Sequence, residues 1–195
     1  LDDVFYVKKD TIPPVITVNT TGDDNWRKTD PGAIYDVDFS DTLSYLDTAQ
    51  YCVYSSTGMG GTLIKNWTDI FTSTNVPSYS DNFSIDFSTL QGGYNYISIR
   101  CWDMAGSTTT VIDAFYVKKD TIAPSVVVLI SPADNLATND TTPSFDWSDS
   151  TDTLSGLSNY EIEIDTSPNF TSPDYSGTPS QSDDVSTSLS DGRYY

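Results

Sequence analysis

The most constraining feature of the sequence is a phrase that occurs twice. Residues 4–14 read VFYVKKDTIPP, and residues 114–124 read AFYVKKDTIAP, an offset of 110 residues. A long self-match at a fixed spacing is typical of tandem repeats, and this spacing is about the size of one β-sandwich domain. The phrase therefore predicts a chain of successive modules of this length.

Each copy of the phrase combines a strand with a joint. Phe-Tyr-Val suits a pleated, half-buried surface, whereas the proline after Lys-Lys-Asp-Thr-Ile-x removes a backbone donor and interrupts a ladder. We therefore expect residues 1–10 to be the closing strand of a preceding module. Residues 11–120 are predicted to form a complete module, and residues 121–195 a second module truncated at its C-terminus.

The composition favours an all-β chain. Aromatic residues make up 13% of the 195 residues, enough for thin sandwich cores, and Asp, Asn, Ser, Thr and Gly suit turns and strand edges. The net charge of −19 argues against a nucleic-acid partner, which requires clustered basic residues. No apolar run is long enough to predict a membrane span.

Alternating apolar residues predict about seven short strands in the complete module, as in an antiparallel sandwich. These predicted strands are residues 15–18, 33–40, 49–54, 62–71, 82–90, 94–102 and 109–118, with a polar loop at 19–32. In the second module, strands are predicted at 126–130 and 143–147. Further along, Tyr160, Ile162 and Ile164 are predicted to face inward and Glu161, Glu163 and Asp165 outward.

Four short motifs resemble bacterial Ig-like and fibronectin type III-like tandem repeats of large extracellular surface proteins. They are DTLS at 41–44, WDMAG at 102–106, DTIAP at 120–124 and DGRYY at 191–195. The resemblance implies tandem antiparallel Ig-like β-sandwich modules. Because Gly-x-Tyr-Tyr leads into the sixth strand in that family, it also implies that the second module is incomplete. Ser107 departs from the family, which usually has Asn there.

The function expected from this resemblance is a structural spacer or adhesive module of a large extracellular repeat protein, at a cell surface or in a fibre. No enzyme activity is expected, because a chain without histidine has no Ser-His or Cys-His base. The expected partners are neighbouring modules, further copies in a fibre, and surface glycans or proteins. The alternative is a carbohydrate-binding accessory module of a secreted enzyme, with Trp26 and Trp67 as an exposed platform, although tryptophans in such positions more often cover the open edge of a core.

Two acidic loops are candidate calcium sites. The candidate ligands are Asp38, Asp41 and Asp47 in the first module and Asp146, Asp149 and Asp152 in the second. Calcium binds six to eight oxygens, whereas the same aspartates could simply close Asx-turns, so both interpretations stay open. No cofactor is required by either one.

The two cysteines are predicted to form a disulfide, because the Ig-like resemblance places Cys52 and Cys101 on neighbouring strands of one sheet. If Tyr51 and Val53 face inward, Cys52 faces outward while Cys101 faces inward, so this disulfide requires a β-bulge between them. Five Asn-x-Ser/Thr sequons add candidate glycosylation sites at Asn19, Asn66, Asn82, Asn139 and Asn169. These features together favour an extracellular or cell-surface location.

Overall fold

The structure is a computed structural model that describes residues 5–20, 22–182 and 185–195. The protein is all-β and contains several sheets, none of them closed, an arrangement consistent with β-sandwich architecture. The chain divides into two compact units, residues 1–121 and 122–195. The boundary falls inside the second copy of the repeated phrase.

The first unit contains eight strands among the described residues. In chain order they are β1 (Val15–Val18), β2 (Asp23–Arg27), β3 (Val37–Ser40), β4 (Leu46–Ser56), β5 (Gly60–Phe71), β6 (Ser78–Tyr79), β7 (Gly93–Asp103) and β8 (Thr108–Lys119). They form a three-stranded sheet in the order β1-β3-β6 and a five-stranded sheet in the order β2-β8-β7-β4-β5. The predicted strands near 15–18, 49–54, 62–71, 94–102 and 109–118 are thus confirmed.

The core of the first unit is built from alternate residues of both sheets. On β7, the inward side chains include Ile97, Ile99 and Cys101, all fully buried, while the residues between them face the other side of the sheet. Strand β3 contributes Val37 and Phe39 from the opposite sheet to the same cluster. One face of the five-stranded sheet therefore lies in the core, and the other forms an outer face.

The predicted strand at 82–90 is wrong, although the alternating apolar residues there are buried as that pattern indicates. Phe83, Ile85 and Phe87 are buried in the core as expected. Only Phe83 forms a β-bridge, with Tyr35, and residues 87–89 form a 3-10 turn. A segment that lines a core needs inward side chains at every second position, but it forms a strand only where a neighbouring backbone is available to pair.

The predicted polar loop at 19–32 is also corrected, because it contains strand β2. This strand pairs parallel with the end of β8, with Trp26 opposite Lys118. Gly22 leads into it with φ of +130°, and a Cβ atom there would lie 2.7 Å from the ring of Tyr116. Glycine is required at this position for two reasons, the backbone conformation and the close approach of the ring.

The two copies of the repeated phrase have different environments. In the second copy, Phe115 and Val117 are 2% and 0% exposed, because this part of β8 pairs with β7. In the first copy, Phe5 and Val7 are 80% and 82% exposed and lie outside any strand. The predicted closing strand spans residues 1–10, of which the structure describes residues 5–10, and these form no strand. Its assignment to a preceding module stays a prediction.

The second unit has shorter strands. They are β9 (Leu129–Ser131), β10 (Ser144–Trp147), β11 (Ile162–Ile164), β12 (Tyr175–Gly177) and β13 (Val185–Ser186), arranged as the sheets β13-β10-β9 and β11-β12. Trp147 and Ile164 are buried, and the ring of Tyr160 packs edge-on against Trp147 at 5.7 Å between centroids. The predicted strand at 143–147 is confirmed, whereas the one at 126–130 begins only at Leu129.

One predicted orientation in the second unit is wrong. Asp165 was expected to face outward with Glu161 and Glu163, but it is buried. Its carboxylate accepts a hydrogen bond from the Ser167 amide at 3.0 Å. Its main chain forms two hydrogen bonds with that of Tyr195, at 2.8 and 3.3 Å.

The predicted disulfide is wrong: both thiols are free and buried. Strands β4 and β7 pair without a shift from Ala49 opposite Cys101 to Cys52 opposite Ser98. The cysteines are thus three residues out of register, about 10 Å along the strands, and they lie on opposite faces. A disulfide requires Cα atoms within about 7 Å of each other, and no bulge occurs here to bring them together.

The free thiols lead to a first prediction. Burial raises the pKa of Cys52 to about 11 and, together with nearby carboxylates, that of Cys101 to about 12. Because only the thiolate is a good nucleophile, neither thiol should react with iodoacetamide at pH 8 in the folded protein. Intact mass should show no adducts before denaturation and two after it. The opposite result would be an intact mass lower by two hydrogen atoms together with no alkylation in denaturant. That result would show that the two cysteines form a disulfide.

Candidate functional site

The first candidate site lies at the end of the unit where β3 and β7 terminate. Asp41 directly follows β3, and its Oδ1 accepts hydrogen bonds from the backbone amides of Leu43, Ser44 and Tyr45 at 2.9–3.0 Å. This is the Asx-turn expected from the sequence. The three donors fix the orientation of the carboxylate, and the side chain is only 7% exposed.

Asp103 is the last residue of β7 and opens the tight turn toward β8. Its Oδ1 accepts a hydrogen bond from the Ser107 amide at 2.8 Å. Its Oδ2 is shielded from solvent and has no hydrogen-bond partner among the described residues. The amide of Met104 donates to the carbonyl of Tyr45 at 2.9 Å, so this turn is attached directly to the turn that follows Asp41.

The repeated phrase supplies a third carboxylate. Asp10 accepts hydrogen bonds from the amide of Ile12 at 2.9 Å and from the amide of Ser44 at 3.0 Å. The amide of Ile12, with further help from Ser44, holds the pKa of Asp10 below its usual value. A little further on, the Thr109 hydroxyl donates to the carbonyl of Pro14. The chain therefore enters the first unit beside the start of β8.

We call Asp10, Asp41 and Asp103 the acid cluster. Each offers one carboxylate oxygen, and these oxygens all lie within 4.8 Å of one another. Throughout residues 5–20, 22–182 and 185–195, no other group of three acidic or cysteine side chains converges in this way. The cluster combines residues separated by 31 and by 62 positions in the sequence.

The six aspartates predicted from the two loops are distributed differently. Asp41 belongs to the cluster, whereas Asp38 accepts a hydrogen bond from the Asn19 side chain at 2.8 Å, and Asp47 lies outside the cluster. In the second unit, Asp152 repeats the turn of Asp41 by accepting the amides of Leu154, Ser155 and Gly156 at 2.9–3.1 Å. Asp149 accepts the Ser182 hydroxyl instead, and Asp146 joins no cluster of described residues.

Sequence reasoning missed Asp10 and Asp103. Asp10 belongs to the repeated phrase and Asp103 to the WDMAG motif. Neither lies near Asp41 in the sequence, so no local pattern connects the three residues. These carboxylates also affect the core. Burial is the main cause of the raised pKa of the Cys101 thiol, and the negative charges of Asp103, Asp41 and Asp47 raise it further. No Lys or Arg of the described chain forms a salt bridge with the acid cluster.

The second candidate site is the outer face of the five-stranded sheet. Near one edge, the rings of Trp26, Tyr94, Tyr96 and Tyr116 lie within 6.4 Å of their neighbours, centroid to centroid. The ammonium of Lys118 lies 5.6 Å from the Trp26 ring and 5.9 Å from the Tyr94 ring. We call these four rings the aromatic cluster.

Near the other edge, an arginine is stacked between two indoles. The guanidinium carbon of Arg100 lies 4.0 Å from the Trp67 ring centroid and 4.6 Å from that of Trp102. Two of its nitrogens donate to the side-chain oxygen of Gln50 at 2.9 and 2.6 Å. The amide of Gln50 donates in turn to Asp69 at 2.6 Å. Stacking and hydrogen bonds together fix the position of the guanidinium on the outer face.

Trp26 and Trp67, the predicted sugar platform, both lie on this outer face. They belong to β2 and β5, the two edge strands, about 19 Å apart across four inter-strand steps. Both indoles are half-buried by neighbouring side chains, so each packs on the sheet and still presents part of its ring. The asparagines of all five sequons are exposed.

Comparison of the chain with protein-family models, with curated proteins and with solved structures finds no match. No helix in the described part of the chain is long and apolar enough to cross a membrane. Function is therefore inferred from the geometry of the acid cluster, the outer face and the repeated phrase.

The stacked arginine gives a second prediction. Arg100→Lys keeps the charge but loses the planar stack and the paired bonds to Gln50, so the first unit should lose about 1–2 kcal/mol of unfolding free energy. Urea unfolding followed by tryptophan fluorescence measures this, because Trp26, Trp67 and Trp102 all lie in that unit. The exposed Lys28→Arg is the control, and equal midpoints for the two variants would contradict the assigned role.

Proposed function

We propose that the chain is a structural spacer or adhesive segment of an extracellular repeat protein, built from Ig-like, fibronectin type III-like sandwich units in tandem. The proposed role is non-catalytic. The observation that supports this role is the position of the two copies of the repeated phrase. The first copy lies where the chain enters the first unit, and the second lies where the chain leaves it.

The chain enters and leaves the first unit at opposite ends of β8. Entry is fixed by the bond from Thr109, at the start of β8, to the carbonyl of Pro14. Exit follows Lys119, where β8 ends and the second phrase copy continues. Ten residues of strand separate Thr109 from Lys119, about 30 Å. A unit with its connections at opposite ends suits a chain that transmits position or tension from one unit to the next.

The strand topology supports the Ig-like part of the proposal. One sheet, β1-β3-β6, corresponds to strands A, B and E of an Ig-type sandwich, and the order β8-β7-β4-β5 corresponds to G, F, C and C′. Strand β2 adds a parallel edge to β8. Because β2 runs parallel to β8, the strand after which the chain leaves the unit, tension between entry and exit should act on all the β2–β8 hydrogen bonds at the same time.

A third prediction tests the spacer. When the chain is pulled from its two ends in a force-spectroscopy experiment, the first unit should unfold in one step that releases about 35 nm. About 105 residues at roughly 3.6 Å each extend to about 38 nm, and the folded unit already spans about 3 nm of this length. Gly22→Ala should dislodge β2, because the new Cβ meets the Tyr116 ring. The unfolding rate should rise about tenfold for each ~1.4 kcal/mol lost from the barrier.

The matched control for this experiment is Gly32→Ala. Gly32 also has a positive φ, +77°, but a Cβ atom there has nothing within 4 Å. The control therefore carries backbone strain without the steric contact. If both variants lowered the unfolding force equally, the edge strand would not bear the load. If the wild-type chain lengthened without a discrete step, the first unit would not resist tension and the spacer proposal would fail.

A carbohydrate-binding accessory module is the second candidate, and the outer face favours it. The face presents half-buried rings of Trp26, Tyr96, Trp67 and Trp102, with Arg100 and Gln50 beside the last two. Aromatic rings with adjacent polar groups suit the faces of sugars. The proposal assigns the platform to this face as a whole rather than to either predicted tryptophan by itself.

A fourth prediction separates the two functions. In affinity electrophoresis through gels containing soluble polysaccharides, a carbohydrate-binding module should be retarded by at least one of them. Trp26→Ala and Trp67→Ala should each weaken that retardation roughly two- to tenfold, because a stacked aromatic ring contributes about 0.5–1.5 kcal/mol. Tyr6→Ala, an exposed aromatic away from the sheet, is the control. Unretarded migration of the wild type across the panel would eliminate this candidate.

A further inference from the structure

We propose that the acid cluster binds a calcium ion, which fastens the repeated joint phrase to the entry end of the first unit. The cluster comprises Asp10, Asp41 and Asp103, a different set from either acidic loop considered by itself. The ion site depends only on the geometry of the first unit; its effect on the joint rests on the proposed spacer function.

The decisive atom is Oδ2 of Asp103. The residue is 1% exposed, and this oxygen has neither solvent nor a hydrogen-bond donor among the described residues. A buried carboxylate oxygen without a partner is costly, because burial removes its hydration and nothing replaces it. The neighbouring Oδ1 is bound by the Ser107 amide, so the side chain is held in place with one oxygen left to coordinate.

Charge favours the same conclusion. Three carboxylates place oxygens within 4.8 Å of one another, and no basic side chain of the described chain neutralises them. Like charges at this distance repel each other, and a divalent cation between them reverses the sign of the interaction.

The donor chemistry selects calcium among divalent metals. All three donors are hard carboxylate oxygens, and the chain contains no histidine. Zinc prefers imidazole and thiolate ligands, and the acid cluster consists of carboxylates alone. Magnesium requires compact octahedral geometry and retains most of its waters, whereas calcium accepts several carboxylates from separate loops in flexible geometry. Backbone carbonyls and water would complete its coordination.

Binding would connect three segments that are far apart in the sequence. Asp41 belongs to the turn after β3, Asp103 to the turn after β7, and Asp10 to the repeated phrase. The Asp10 side chain is joined to the turn after β3 by the hydrogen bond from the Ser44 amide. With an ion, residues 8–12 become part of the folded end of the unit, so calcium converts a hydrogen-bonded joint into a coordinated one.

Calcium titration of the ¹⁵N-labelled full chain tests the proposal. The amides of Ser44 and Ser107 donate to cluster carboxylates and serve as local reporters. Both signals should shift saturably with a dissociation constant of about 1 mM or lower, as for extracellular calcium modules. Asp103→Asn and Asp10→Asn should each weaken binding at least tenfold. Asp81→Asn, which removes one exposed charge elsewhere, should bind as the wild type does.

Either of two results would overturn the site. One is the absence of any shift at Ser44 and Ser107 up to about 10 mM calcium, ten times the weakest typical constant. The other is unchanged binding by Asp10→Asn, which lies on the linker outside the core and remains informative even if Asp103→Asn fails to fold. Hydrogen exchange at Thr11 and Ile12 reports on the joint: slower exchange with calcium supports fastening, and unchanged exchange with intact binding overturns that half alone.

Discussion

The ladder that β7 forms with β8 on one side and β4 on the other is the constraint on which the first unit depends. Because side chains alternate along a strand, this one ladder assigns Ile97 and Ile99 to the core and Arg100 and Trp102 to the outer face. It also sets where the strand ends, and therefore where Asp103 lies. The core, the outer aromatic face and the acid cluster are consequences of one register.

Local pattern was enough to predict the strands that form this ladder. The predicted strands at 94–102 and 109–118 each correspond to an observed strand, β7 and β8. In these segments the local propensity and the tertiary environment agree, so single-sequence reasoning succeeds. The Asx-turn at Asp41 was predictable for the same reason, because all its donors lie within four residues.

What sequence could not supply was the relation between distant segments. Strand β2 has no apolar alternation, and its pairing is set by the end of β8, more than 80 residues away. The register of β4 against β7 decides that Cys52 and Cys101 lie apart, and no short-range signal encodes it. The acid cluster was not predicted for the same reason, because its members are distant in the sequence and come together only in the folded unit. The prediction that Cys52 and Cys101 lie on neighbouring strands is confirmed, but the residue-by-residue alignment of those strands was not predicted.

The two copies of the phrase also create a problem of folding order. The sequence FYVKK occurs at 5–9 and again at 115–119, and only the second is paired with β7. Both copies therefore carry the same complement to that strand. The correct one closes a four-residue turn at 104–107, whereas the competitor would close a loop of more than 80 residues, a difference of about 3 kcal/mol in closure entropy. In a tandem array, fidelity then depends on local hairpins forming before identical strands meet, since strand exchange between units is a typical misfolding route of repeat proteins.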